Sequence, residues 1–97
     1  MTTLINILTV PPGDQPQLLA LLRANVDDVI STLDGWIATD LIASSDGTRV
    51  VIHSQWRDAT AVAAMRTDPR MLAYFPRIAA LASFESIVGA VAYHGAR

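Results

Sequence analysis

The stretch "TLINILTV", residues 3 to 10, decides the architecture. Its alternation is that of a strand. Leu4, Leu8 and Val10 share one face, and Ile5 and Ile7 share the other. A strand that is apolar on both sides needs cover on both sides. Asn6 stands in the middle of the leucine face. Asn is depleted in strands, and a buried amide without partners costs a few kcal/mol, roughly 2–7. Two explanations are open. Asn6 bonds a neighbouring group, as most buried polar side chains do, or it points into a pocket and meets a ligand.

Beyond this strand, "PPGD" (11 to 14) breaks the chain. Asp14 is placed to cap a helix, Pro16 suits its first turn, and Gln17 completes a capping box. Leu18, Leu19, Leu22, Val26, Val29, Ile30 and Leu33 then follow helical spacing as far as a stop at Gly35. "WIATDLIA" (36 to 43) and "RVVIHSQW" (49 to 56) read as strands joined by a hairpin loop, with Asp46-Gly47 as its turn. Asp58 opens a helix through about Arg66, and Asp68-Pro69 opens another. Pro76 is expected to interrupt that one after about two turns. A last strand runs from about 84 to 93.

The order β-α-β-β-α-β is the ferredoxin-like α+β arrangement, a four-stranded antiparallel sheet with helices on one face. We read residues 1–97 as a single domain of this kind. Such a sheet usually turns a polar face to water. Here Ile37 and Leu41 oppose Trp36 and Ile42, and Ile87 and Val91 oppose Val88 and Ala90. Helices cover one side only, so a second subunit is expected over the other. Ile5, Ile7, Ile37, Leu41, Ile87 and Val91 are its expected interface, in an obligate or near-obligate homodimer. Hydrophobic residues make up 52% of the chain, more than so small a monomer hides readily.

Composition removes several functions. There is no cysteine, hence no disulfide, thiolate nucleophile or Cys-based metal site. Net charge is −2, and the seven basic residues are scattered singly, unlike a nucleic-acid stripe. No positively charged leader and no run of about eighteen apolar residues is present, so the chain reads as cytoplasmic and without a membrane span. No glycine-rich loop matches a phosphate or dinucleotide fingerprint. His53 and His94 have no carboxylate at metal-ligand spacing, and Ser44, Ser45 and Ser54 form no readable triad. No cofactor and no metal is expected.

Two groups remain. Trp56 shares parity with Val50, Ile52 and Ser54, the more apolar side of its strand, and so faces the helix layer. Its indole N–H needs an acceptor when buried. Asn6 and Trp56 are therefore expected to point into the same space between sheet and helices. Met65, Met71, Tyr74 and Phe75 form an apolar group on the broken helical region. They read as core or as a pocket's movable wall.

"INILTVPPG", "SSDGTRVVIHSQWRD" and the β-α-β-β-α-β length together resemble the antibiotic biosynthesis monooxygenase family over essentially the whole chain. The likeness is strongest to small cofactor-independent members that oxidise aromatic anthrones to quinones. The resemblance implies a dimeric α+β barrel of two sheets packed face to face. It implies that Asn6 and Trp56 line the pocket as catalytic residues acting on an aromatic substrate with O2; Ile52 and the apolar group Met65, Met71, Tyr74 and Phe75 are then read as the substrate-binding wall. Ile52 stands where those oxygenases carry a second Asn, which removes a polar contact. Heme-degrading relatives have an axial His in the region that reads "PRMLAYFPRI" here, which contains none. The alternative on the same fold is a small-molecule binder, isomerase or cyclase.

Overall fold

Two-residue periodicity in four segments and helical periodicity in three build the chain. The computed structural model describes residues 1–97. The strands are β1 (Thr2–Thr9), β2 (Trp36–Ala43), β3 (Arg49–Trp56) and β4 (Ser83–Gly89). The helices are α1 (Gln15–Asp28), α2 (Ala59–Thr67) and α3 (Pro69–Leu81). The sheet order is β2-β3-β1-β4, with every neighbouring pair antiparallel. This is the ferredoxin-like α+β fold read from the sequence.

The leucine face of β1 lies under the helices. Leu4, Leu8, Val50 and Trp56 from the sheet meet Leu18 and Leu22 from α1, Val62 and Met65 from α2, and Met71 and Ile78 from α3. Ile5 and Ile7 lie on the opposite, helix-free face with Val51 and His53. That face keeps Ile42, Ile87 and Val91 more than half exposed. An apolar sheet face of this extent is unusual on a monomer.

The sequence reading needs correction at five places. Asp14 makes no side-chain cap; its backbone is already helical, which turns the carboxylate away from the first free N–H groups. Gln15 secures this end instead, donating from Nε2 to the carbonyls of Ser44 (3.1 Å) and Arg49 (2.8 Å) in the hairpin. α1 ends at Asp28, and the apolar residues beyond it form a short 3₁₀ turn, Ile30–Thr32. Gly35 then turns the chain with φ +87°, and a Cβ there would lie 2.5 Å from the Ala61 methyl. Only glycine fits both demands.

Pro76 does not interrupt α3, which continues to Leu81. The proline is on the exposed side, so the Leu72 carbonyl that loses its N–H partner faces water. β4 stops at Gly89, not at 93. Gly89 pairs with Thr3 near the start of β1, and past that point there is no strand to pair with.

In β2 a bulge between Trp36 and Ala38 shifts the register. Leu41 therefore pairs with Ile52 and lies on the helix side together with Trp36, and Ile42 takes its place on the open face. Leu41 leaves the expected interface set, and Ile37 sits within the bulge, half exposed.

Candidate functional site

A cavity of about 90 Å³ lies between the sheet and the helices. β1 contributes Leu4, Asn6 and Leu8; β3 contributes Ile52, Ser54 and Trp56. The strand pleat sends all six to one side. The roof comes from Asn25 and Leu22 on α1, Met65 on α2, and Met71, Phe75 and Ile78 on α3. Phe84 of β4, more than half exposed, stands at the margin. The lining is apolar apart from Asn6, Asn25, Ser54 and the Trp56 indole N–H, and none of these titrates near neutral pH. The volume is below the ~300–1,000 Å³ of small-molecule pockets. A ligand of ordinary small-molecule size must therefore extend through the mouth or displace side chains of the lining.

Asn6 and Trp56 line the same cavity, and Ile52, Met65, Met71 and Phe75 line it with them. Tyr74 does not. It packs between the two halves of the core, with the Arg77 guanidinium 5.0 Å from its ring centre. Helical rotation explains this: Met71, Phe75 and Ile78 follow the i, i+4, i+7 stripe, and Tyr74 lies beside it.

The two halves of the Asn6 amide differ in their surroundings. Ser86 lies opposite Asn6 in the β1–β4 ladder, and its hydroxyl donates to Asn6 Oδ1 over 2.7 Å. Arg66 Nη2 donates in turn to Ser86 Oγ at 3.4 Å. A guanidinium donates only, so it occupies a lone pair of the serine oxygen and leaves the serine proton for Asn6. This orientation leaves Asn6 Nδ2 without a protein partner at the cavity wall.

Trp56 is 1% exposed, and its Nε1 is the one fully buried side-chain polar atom without a hydrogen-bond partner. Such a group costs about 1–3 kcal/mol, so it is normally satisfied. Ser54 is paired: Trp36 Nε1 donates to Thr39 Oγ1 (2.8 Å), which lies 3.2 Å from Ser54 Oγ.

Asn25 was not singled out in the sequence. It is 3% exposed, and its Nδ2 donates to Met71 Sδ at 3.3 Å. The available signal was its spacing, three residues after Leu22 and four before Val29, which puts an amide on the buried stripe of α1.

Charges surround the cavity without entering it. The Asp58 carboxylate caps α2 by accepting from the Ala61 N–H at 2.8 Å, and that bond holds its pKa below the usual value. Asp68 caps α3 through the Arg70 N–H in the same way. The Asp68 cap fixes the first turn of α3, which carries Met71. Arg57 grips Asp34 through two bonds of 3.1 and 2.9 Å, lowering the Asp34 pKa and raising its own. No three His, Cys, Asp or Glu side chains are grouped to hold a metal ion. No helix is long and apolar enough to cross a membrane.

The family model described as antibiotic biosynthesis monooxygenase matches residues 1–77. Tetracenomycin-F1 monooxygenase of Streptomyces glaucescens is 34% identical over 73 residues, 75% of this chain and 65% of that protein. The match thus spans a little under two thirds of the relative's length. Among solved structures, SnoaB of Streptomyces nogalater, a cofactor-independent oxygenase, superposes with a TM-score of 0.86 at 18% identity, covering 96% of this chain and 94% of that one. The ActVA-Orf6 monooxygenase of Streptomyces coelicolor, solved with nanaomycin D, gives 0.80 at 24% identity, covering 99% and 89%. These structural likenesses establish the shared fold. With most of its length matched by the family model, the chain belongs to the antibiotic biosynthesis monooxygenase family.

Proposed function

We propose that this protein is a cofactor-independent monooxygenase that oxidises an electron-rich polycyclic phenol or anthrone to a quinone with O2, working as a homodimer. The observation that carries the reading is one apolar cavity with two hydrogen-bond donors that have no protein partner, Asn6 Nδ2 and Trp56 Nε1. The names of the relatives in the same family support the reaction class.

Triplet O2 reacts slowly with closed-shell molecules. An anthrone that loses a proton from its CH2 group becomes an enolate, electron-rich enough to pass one electron to O2. The resulting radical pair combines as a C–O bond. Loss of water from the peroxide then gives the quinone, so anthrone plus O2 becomes quinone plus water. Asn6 Nδ2–H and Trp56 Nε1–H are suited to the negative charge on the enolate oxygen. Donors of this type, fixed before reaction, contribute about 2.7–4 kcal/mol each. The cavity lining has no carboxylate or imidazole. The substrate must be acidic enough to ionise against water at the mouth, which a phenolic anthrone is.

The apolar open face, with Ile5, Ile7, Ile42, Ile87 and Val91, supports association of two sheets face to face. A binder, isomerase or cyclase on this fold is the second reading. Ile52 favours it, because it lines the cavity where anthrone oxygenases place a second amide. The test is turnover of an anthrone with and without O2, using ¹⁸O2 to follow the new oxygen. Label in the quinone, with catalysis above the buffer rate, supports the oxygenase. Equal conversion without O2 supports the second reading.

A further inference from the structure

We propose that Asn25 is a specificity-determining residue whose Oδ1 accepts a hydrogen bond from a hydroxyl group on the ligand. The proposal rests on the polycyclic-ligand reading above and adds the substitution pattern the ligand must carry.

Asn25 belongs to the buried stripe of α1, with Leu18 and Leu22 before it and Val29 after it, all at most 4% exposed. An amide in that row is out of place unless both its ends are used. One end is. Nδ2 donates to Met71 Sδ at 3.3 Å. A thioether carries no proton and only accepts, so the amide cannot turn its oxygen to the sulfur without losing the bond. Oδ1 is left with no donor from the protein, and Asn25 lines the cavity.

The other polar side chains under the helices are accounted for: Ser54 by Thr39, and the Asn6 oxygen by Ser86. What remains unpaired is a set with direction. The sheet wall offers two donors, the fully buried Trp56 Nε1 and Asn6 Nδ2; the helix roof offers one acceptor, Asn25 Oδ1, which opens on the cavity. A ligand that satisfies all three has an acceptor oxygen toward the sheet and an O–H toward α1. Among aromatic ketones that describes a ring-hydroxylated one. An unsubstituted anthrone offers the Asn25 oxygen no donor.

The test uses matched anthraquinones, which do not react with O2, so that binding is read apart from turnover. The parent, each monohydroxy isomer and each corresponding methyl ether are titrated into the whole protein. One hydroxy isomer is expected to bind about tenfold more tightly than its methyl ether and the parent, the effect of one net hydrogen bond. Asn25→Leu, close in volume and without the oxygen, is expected to bring the affinities of all three within about twofold of one another. The methyl-ether comparison needs only the wild-type protein, so a folding failure of the variant leaves the test intact. Parent binding with no hydroxyl preference overturns the Asn25 assignment alone. Preference retained in folded Asn25→Leu does the same. Absence of binding by every member overturns the polycyclic reading and this inference with it.

Discussion

Ser86 holds the Asn6 amide in one orientation: its hydroxyl donates to Oδ1 over 2.7 Å, across the β1–β4 ladder. The bond sits at an exposed strand edge, so it contributes little to stability. Its effect is to leave the amide N–H groups for the cavity. Asn6→Ala should therefore leave the melting temperature nearly unchanged or raised, while anthrone turnover falls at least ~10-fold, toward the ~10²–10³ seen for one lost oxyanion-type donor. Ser86→Ala should lower kcat by less, with KM little changed, and Ser86→Thr should restore it. Steady-state kinetics beside thermal melts read both. A melt that drops while turnover per folded molecule stays normal would make Asn6 structural only.

Trp56 carries a buried N–H that nothing in the protein accepts. Trp56→Phe removes that unpaired donor and also some volume, a relief of about 1–3 kcal/mol set against a cavity penalty of similar size. Stability measured by urea should change by less than about 2 kcal/mol, whereas turnover should fall substantially. Large destabilisation with normal turnover would assign Trp56 to the core alone.

The open sheet face should hold two copies together. Ile42 and Ile87 are 53% and 56% exposed in the single chain, so lysine is tolerated there by the protomer's own packing. Ile42→Lys with Ile87→Lys should convert a dimer to a folded monomer, read by light scattering and circular dichroism. A wild-type protein that is monomeric at micromolar concentration would contradict the dimer.

Pro76 costs α3 one backbone hydrogen bond, left by the Leu72 carbonyl. Pro76→Ala restores it and should stabilise the protein by up to ~3 kcal/mol, less whatever water already supplies to that carbonyl. Slower amide exchange through residues 72–80 would accompany the higher melting temperature. If this helix must yield for ligand entry, association of an aromatic probe should slow in the same variant.

Asp46 accepts from the Thr48 hydroxyl (2.7 Å), the Ser44 hydroxyl (2.8 Å) and the Thr48 N–H (3.0 Å) in the β2–β3 turn. These bonds lower its pKa to about 2. The folded pKa lies below the unfolded value of about 3.9, so the turn's contribution is complete above about pH 4. It is lost as pH falls through about 2. The stability gap between wild type and Asp46→Ala should be flat above about pH 4 and close below it. A carboxyl titrating near 4 by NMR would show that the turn bonds do not form in solution.

How much of this could be read from the sequence follows from the range of the forces involved. Strand alternation, helical spacing and the proline and glycine breaks act within a few residues. They placed β1, β3 and the helix starts at Asp58 and Asp68, and put Asn6 and Trp56 on one side of the sheet. The same local logic could not see the bulge at Trp36/Ala38, because a bulge exists only relative to a partner strand; it moved Leu41 to the helix side. Nor could it see that β4 ends where β1 runs out of residues to pair with. Pro76 looked like a break because its cost is local, and its tolerance depends on which side of α3 faces water. Above all, an amide's direction is set by its partners. Ser86 lies 80 residues from Asn6, and Met71 lies 46 from Asn25. The sequence supplied the polar atoms of the cavity, but only folding brought in the serine and the sulfur that turn one amide into a donor and the other into an acceptor.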